Sequence, residues 1–513
     1  MINRKYSVCS QFASLMQSDS SNLYIGVDLG TSAVKLLLMN SKGQIKNVIS
    51  KEYPIFFPHP GWSEQNPDDW YCATITGLKE LIENFDKSKI SGICISGQMH
   101  GLVILDSNDN VIRPAILWND NRTAVECDYL NNAIGKSKLS EYTANVAFAG
   151  FTAPKLLWLK KNEPDNFSRI FKIMLPKDYI AYKITGVHSA DVSDASGTLF
   201  FDVAHRCWSN EMCKICYIRP EQLGKVYESS DFIGYVKPEI SNEFGIRNDV
   251  KVAAGAGDNA SAAVGTGTVG DGKCNISLGT SGTIFISSKK FCVDSNNALH
   301  AFAHADGTYH LMGCMLSAAS CNKWWMNNIL GTNEYAKEQS NIDLEHLGEN
   351  NIYFLPYLMG ERSPHNNPNA RGAFVGMTMD STREDMSLAV LEGVAFALRD
   401  SLEVAKSLGI DVKKTRICGG GAKSILWRKI IANVMNMNVE TIESEEGPAL
   451  GAAMLAAVAC GEYRNVEEMA DKIIKVVDVI EPQKDIVEKY EERYKKFRSI
   501  YPALVPVFDV LKE

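Results

Sequence analysis

The sequence predicts an α/β protein made of two similar halves, and three observations predict it. Strand-like apolar runs alternate with amphipathic helical stretches along the chain, which argues for mixed sheets flanked by helices. A four-residue turn, Leu-Gly-Thr-Ser, recurs near the start of each half. At 513 residues the chain exceeds what one hydrophobic core usually serves, so two large domains with a cleft between them are expected.

In chain order, the first copy of the turn is Leu29 to Ser32, after the apolar run Tyr24 to Val27 and before Val34 to Met39. The second copy is Leu278 to Ser281, after Cys274 to Ser277 and before Thr283 to Ile286. Glycine and serine supply the turn and β-branched residues flank it, so each reads as a hairpin. Further strands are expected at Ile93 to Ser96, Val103 to Leu105, Val252 to Ala254 and Thr415 to Cys418. Helices are expected at Trp70 to Asn84, Met386 to Leu408 and Ile425 to Met435. The glycines between Gly265 and Gly272 offer a permissive junction. Domains are therefore expected at 23–268 and 269–513, after a polar N-terminal extension at 1–22 that is expected to be poorly ordered.

Composition narrows the function classes. With 45% hydrophobic and 22% charged residues the chain reads as globular, and the net charge of −8 without a long basic cluster argues against nucleic acid. The apolar runs are strand-sized, so no membrane span is expected, and residues 1–21 lack the apolar core of a secretory signal. Thirteen scattered cysteines read as reduced thiols of a cytoplasmic protein. Cys213 and Cys216 form a lone C-x-x-C with no second pair, which reads as incidental spacing.

Phosphate binding needs several N–H donors and close backbone approach, which short Gly/Ser/Thr turns provide. Gly30-Thr31-Ser32 and Gly279-Thr280 with Ser281 and Gly282 meet that need, although each alone reads equally as an ordinary hairpin turn. Gly419-Gly420-Gly421-Ala422 follows a strand and precedes a helix, where a flat ligand or a phosphate rests on bare backbone. It is not a Walker A loop, because Ala422 stands where the last glycine belongs.

Two aspartates stand where acids are useful. Asp28 precedes the first turn, and Asp258 lies between a strand and an Ala-rich helix in Gly255-Ala256-Gly257-Asp258-Asn259. Asp258 suits two uses, helix N-cap and proton acceptor in phosphoryl transfer. Ser96-Gly97-Gln98-Met99-His100-Gly101 puts His100 on a glycine-flanked loop able to meet a ligand, although a lone histidine is more often simply packed.

These motifs, in this order, resemble the FGGY carbohydrate kinases, over about Leu23 to Tyr501. Two long stretches carry the resemblance: Gly150-Phe151-Thr152-Ala153-Pro154-Lys155-Leu156-Leu157-Trp158-Leu159, and Gly372 to Met377 leading to Ala389-Val390-Leu391-Glu392. Gly61 to Gln65, the Met-His loop, Ile116 to Asp120, Leu175 to Tyr179 and Pro356 to His365 resemble the members acting on D-xylulose. The resemblance implies two duplicated actin-like (ribonuclease H-like) domains with ATP in the cleft.

It further implies Asp258 as general base and Asp28 as the acid associated with Mg²⁺ through water. Met99, His100, Asp258 and Asn259 would lie near the sugar. Gly30, Thr31, Ser32, Gly279, Thr280, Gly420, Gly421 and Ala422 would lie near ATP. Some relatives carry Asn where this chain has Ile425, so no side-chain bond to adenosine is implied there. The expected partners are the sugar and MgATP, with a homodimer allowed. Phosphorylation of ribulose, L-xylulose or gluconate, and a non-catalytic sugar- and ATP-binding role, share these motifs and stay open.

Overall fold

In the computed structural model, which describes residues 21–511, two mixed sheets of the same topology are built from the two halves of the chain. Of the expected extension at 1–22, only the last two residues fall within the described range. The first sheet contains β1 (Leu23–Leu29), β2 (Ala33–Asn40), β3 (Ile45–Glu52), β4 (Ile90–Gly97), β5 (Phe232–Tyr235) and β6 (Lys251–Gly257). Its order is β5-β6-β4-β1-β2-β3, with β1, β4 and β6 parallel and the others antiparallel to their neighbours.

The second sheet contains β7 (Cys274–Leu278), β8 (Gly282–Ser288), β9 (His300–Ala303), β10 (Tyr309–Met315), β11 (Lys414–Cys418), β12 (Asn438–Ile442) and β13 (Val476–Ile480). Its order, β9-β10-β8-β7-β11-β12-β13, repeats that of the first with β9 added at one edge. The antiparallel and parallel pairings match strand for strand. The two Gly-Thr-Ser turns join β1 to β2 and β7 to β8, so each begins its half in the equivalent place.

The helices that matter for the site are α1 (Pro67–Ile82), α2 (Thr152–Asn162), α3 (Pro176–Thr185), the single turn α4 (Val192–Ala195) and α5 (Asp258–Gly265). In the second half they are α6 (Arg383–Ser407), α7 (Ile425–Met435), α8 (Gly447–Ala459) and α9 (Lys484–Val510). Helix α7 has the bounds expected from the sequence. Helix α1 starts three residues before the expected Trp70, because Asn66 accepts from the Asp68 N–H and Pro67 fits the first turn. Helix α6 likewise starts at Arg383, where Thr382 and Asp385 bond each other's backbone N–H groups in a capping box. Val103–Leu105 is a strand as expected, but it pairs with Lys172–Met174 outside the main sheet.

Helix α8 is the least expected element. It belongs to the second half in sequence yet packs on the first sheet, where Leu450, Met454 and Leu455 are buried with Tyr24, Leu37, Cys94, Ala253 and Val264. Its all-apolar sequence suits a helix buried on all sides. The second sheet is covered by α6 and α7, and α9 packs on these helices, where Glu392 of α6 accepts from the Tyr490 hydroxyl at 2.9 Å and pairs with Arg493. Cys213 and Cys216 are both buried and unbonded, and no group of metal-ligating side chains occurs among the described residues. No helix among the described residues is long and apolar enough to cross a membrane.

Candidate functional site

Strand register brings the predicted acidic and loop residues of the first half to one edge. Leu29 of β1 pairs with Gly97 of β4, and Gly97 pairs with Gly257 of β6. Asp28 and the Gly30 turn, the Gln98-Met99-His100 loop and Asp258 therefore all leave the sheet at the carboxyl ends of its parallel strands. That edge is where α/β sheets usually hold ligands.

Asp258 opens α5 but is not its N-cap, since Gly257 holds that place with no side-chain capping bond. Among the described residues the carboxylate accepts only the Asn259 N–H, at 2.7 Å. Burial raises its pKa to about 6, against the lowering effect of that bond. Asn259 lies 3.9 Å from the Met99 sulfur through its amide nitrogen, so α5 and the Met-His loop touch directly.

Behind Asp258 runs a buried polar chain that the sequence did not disclose. Lys177 of α3 pairs with Asp178 and, at 2.8 Å, with Asp191. Asp191 accepts from the Ser193 and Ser229 hydroxyls, and the Ser193 hydroxyl accepts the Gly257 N–H at 3.1 Å. A fixed ion pair thus ends on the residue before Asp258. Asp194, also in α4, is buried with neither carboxyl oxygen bonded. Burial holds its pKa well above the carboxylate range, opposed by Lys177 and reinforced by Asp178, Asp191 and Asp258.

Asp28 is raised to about 7, first by burial and then by the charge of Asp258, with Lys35 opposing and Glu446 adding to the shift. Lys35 reaches Glu446 at 3.0 Å from the other half of the chain. Within the first turn, the Thr31 hydroxyl accepts the Trp118 indole N–H at 3.0 Å, and its carbonyl accepts the Gln65 amide at 2.7 Å. Ser32 is exposed. Trp118 itself is 46% exposed, a large apolar surface left open beside the turn.

His100 has a left-handed backbone, φ 69°. Its Nδ1 lies 2.7 Å from the Gly197 carbonyl, and its ring stacks on Phe151 at 4.7 Å. A carbonyl only accepts, so Nδ1 carries the proton and donates to it. Burial, then the charge of Lys155, lowers the imidazole to about 3, against the Gly197 bond. The ring is therefore neutral, with Nε2 an acceptor. From the second half, Arg362 lies 5.2 Å over the Phe148 ring with no carboxylate at ion-pair distance among the described residues. Its charge bears on His100, His300 and Cys314.

The second half supplies the other two glycine elements side by side. Gly419 has φ 87°, and a Cβ on it would stand 2.7 Å from the Leu278 carbonyl oxygen, so only glycine fits. The loop therefore rests on the strand that ends in the Gly279-Thr280-Ser281 turn. Thr280 and Ser281 are exposed, and a Cβ on Gly420 would meet nothing within 4 Å. Ala422 follows in a short 3-10 turn before α7, and Ile425, the first residue of α7, is 60% exposed. A cavity of about 660 Å³ lined by Lys273, Lys290, Lys413 and Lys414 lies at the opposite end of these strands.

Sequence reasoning did not single out Trp118, Lys155, Asp194, Arg362 or Glu446 individually. Trp118, Lys155 and Arg362 had a signal, lying inside stretches that carried the resemblance. The importance of Asp194 and Glu446 comes from what they pack against, which no local pattern reports.

Comparison with known proteins places these features in one family. The model of the FGGY family of carbohydrate kinases, N-terminal domain, matches residues 23–265, and that of the C-terminal domain matches residues 274–460. A xylulose kinase from Escherichia coli (strain K12) is 39% identical over 492 residues, covering 94% of this chain and all of its own length. A crystal structure of a xyloylose kinase from Brucella ovis superposes with a TM-score of 0.90 at 38% identity, covering 95% of this chain and 100% of its own. A gluconate kinase from Lactobacillus acidophilus reaches the same TM-score at 27% identity, over 96% of this chain and 100% of its own.

Proposed function

The chain belongs to the FGGY family of carbohydrate kinases, and on that premise we propose that it transfers the γ-phosphoryl group of ATP to D-xylulose, giving D-xylulose 5-phosphate. The observation that carries the chemistry is the common edge of β1, β4 and β6, from which Asp28, His100 and Asp258 all emerge. The acceptor is carried by the xylulose kinases that match this chain over nearly its whole length.

In this reading Asp258 takes the proton of the attacking hydroxyl. With a pKa of about 6 it is mostly ionised at neutral pH. The C5 hydroxyl oxygen bonds to the γ-phosphorus as the bond from that phosphorus to the β–γ bridging oxygen breaks. The electron pair leaves with ADP, and the hydroxyl proton passes to Asp258. Because the transition state is loose, positioning contributes more than basicity. The Lys177–Asp191–Ser193–Gly257 chain fixes where the carboxylate stands.

His100 accepts a sugar hydroxyl at Nε2, Asn259 offers its amide, and Met99 forms the apolar wall between them. The turn at Gly30, Thr31 and Ser32 and the turn at Gly279 and Thr280 present backbone to the phosphates. Gly420, Gly421 and Ala422 offer a flat shelf to the nucleoside. The charges of Asp258 and Glu446 both bear on Asp28, with Lys35 opposing them, an oxygen-donor, net-negative setting that suits Mg²⁺. No three of the described side chains form a closed ligand set, and Asp28 is the residue that would hold the ion, through water. Bound there, Mg²⁺ supplies neutralisation of the phosphate charge. Domain closure would exclude water as a competing acceptor. Unpaired cysteines throughout the described residues support the cytoplasm as the compartment.

A second reading, phosphorylation of gluconate, is favoured only by the Lactobacillus acidophilus structure. ADP release from purified protein across ketoses, polyols and sugar acids, with and without Mg²⁺, separates the two. D-Xylulose is expected to give the highest kcat/KM. A higher value for gluconate, ribulose or L-xylulose, or no ADP release with any sugar, would overturn the proposal.

A further inference from the structure

We infer that Lys155, assisted by Thr152, is a positioning residue for the sugar site, acting by gripping the backbone of His100. The inference rests on the proposed function only in taking His100 as a residue that meets the sugar.

Lys155 is fully buried in α2, and no carboxylate lies at ion-pair distance from it among the described residues. Its ammonium donates to two backbone carbonyls, His100 at 2.8 Å and Gly150 at 2.7 Å. An unpaired buried ammonium is costly to fold, and burial accordingly lowers its pKa to about 7. Stability alone gives no reason to keep a lysine there, since an apolar side chain of that length would fill the space at less cost. What the ammonium does is tie together two loops.

The same segment holds His100 twice more. The Thr152 hydroxyl donates to the His100 carbonyl at 3.1 Å, and Phe151 stacks on the imidazole. All three contacts converge on a residue whose left-handed backbone is uncommon for a side chain other than glycine. Such a conformation persists where its surroundings over-determine it. With the carbonyl clamped from one side and Nδ1 bonded to Gly197 on the other, one orientation is left for Nε2. The charge of Lys155 also helps keep the imidazole neutral, so Nε2 stays an acceptor.

The test is steady-state kinetics of the full chain with Lys155→Met, Thr152→Val, His100→Ala and the Lys155→Met/His100→Ala double variant, each checked by thermal unfolding. Lys155→Met should raise the KM for the sugar by about ten- to a hundredfold while the KM for MgATP moves by less than about twofold. Thr152→Val should move the sugar KM in the same direction by less, having lost only a neutral donor. In the His100→Ala background, Lys155→Met should add less than about twofold, because the group it positions is gone.

An unchanged sugar KM, equal rises in both KM values, or additive effects in the double variant would overturn the inference. If Lys155→Met does not fold, the same cycle run with Thr152→Val and His100→Ala decides it. Wild-type protein that turns over no sugar would overturn the functional reading and the clamp with it. Wild-type turnover with an unmoved KM would overturn the clamp alone.

Discussion

Gly451 of α8 faces the carbonyl oxygen of Ser261 in α5 so closely that a Cβ on it would stand 1.8 Å from that oxygen. The two helices come from opposite halves of the chain, and α5 begins with Asp258. The helix that carries the proposed base is therefore seated on a helix of the second half by direct backbone approach.

Gly451→Ala tests that seat. Alanine gains about 0.8–1 kcal/mol of helix propensity over glycine. Backbone atoms 1.8 Å away cannot yield like a flexible side chain, and overpacking costs about 1–3 kcal/mol, so the net change should be a loss of stability. Urea unfolding should show a lower midpoint, and kcat should fall as α5 shifts. A variant as stable and active as wild type would mean the helices do not approach this closely in solution.

Asp258 gives a pH dependence with a definite sign. Its pKa stands near 6, and the proposed base works only when ionised, so activity is lost as pH falls. With sugar varied at saturating MgATP, kcat/KM should drop about tenfold per pH unit below roughly pH 6. Asp258→Asn should lower kcat by about 10²- to 10⁴-fold and abolish the acid limb. Near wild-type kcat in that variant would remove Asp258 from the proposed role.

These predictions draw unequally on sequence and structure. The hairpins were legible because Gly-Thr-Ser between β-branched runs encodes a turn locally, and their recurrence announced the duplicated sheet. The start of α6 was also present in the letters, as Thr382 three residues before Asp385. The alignment of Leu29, Gly97 and Gly257 was not, because it depends on pairing strands more than 60 residues apart. Nor was the docking of α8 on the first sheet, since a helix apolar on every face does not say which surface it covers. Asp258 is the intermediate case. The sequence offered cap or base, and the structure gives the cap position to Gly257.

Asp28 predicts opposite changes in stability and function. Its pKa in the folded chain, about 7, lies above the ordinary 3.8, so folding favours the protonated form. The stability from that proton is present at low pH and lost as pH rises from about 4 through about 7. Asp28→Asn, which stays neutral, should therefore unfold at a higher temperature than wild type at pH 8, with the difference vanishing near pH 4. The same variant should lose the Mg²⁺ dependence of ADP release along with most of its rate. An unchanged metal titration would count against Asp28 as the acid near Mg²⁺.

Asp191 and Asp194 stand three residues apart at α4 and should respond oppositely to the same substitution. Asp191 pairs with buried Lys177 and accepts four hydrogen bonds, from the Ser193 and Asp194 N–H groups and the Ser193 and Ser229 hydroxyls. Asp191→Asn removes a partner from a buried ion pair, for which the expected loss is about 3–5 kcal/mol. Among the described residues Asp194 has neither oxygen bonded, and burial, reinforced by the neighbouring carboxylates, raises its pKa and so favours its protonated form. A neutral carboxylic acid and an amide have nearly the same shape, so Asp194→Asn should leave kcat close to wild type. Its raised pKa also means that wild type loses stability as pH climbs through it, and the amide does not, so the variant should match or exceed wild type on the alkaline side. Thermal unfolding of both variants across pH 5 to 9 checks the pair. If Asp194→Asn unfolds as readily as Asp191→Asn, then Asp194 is ionised in the folded chain and belongs to the charge network of Lys177.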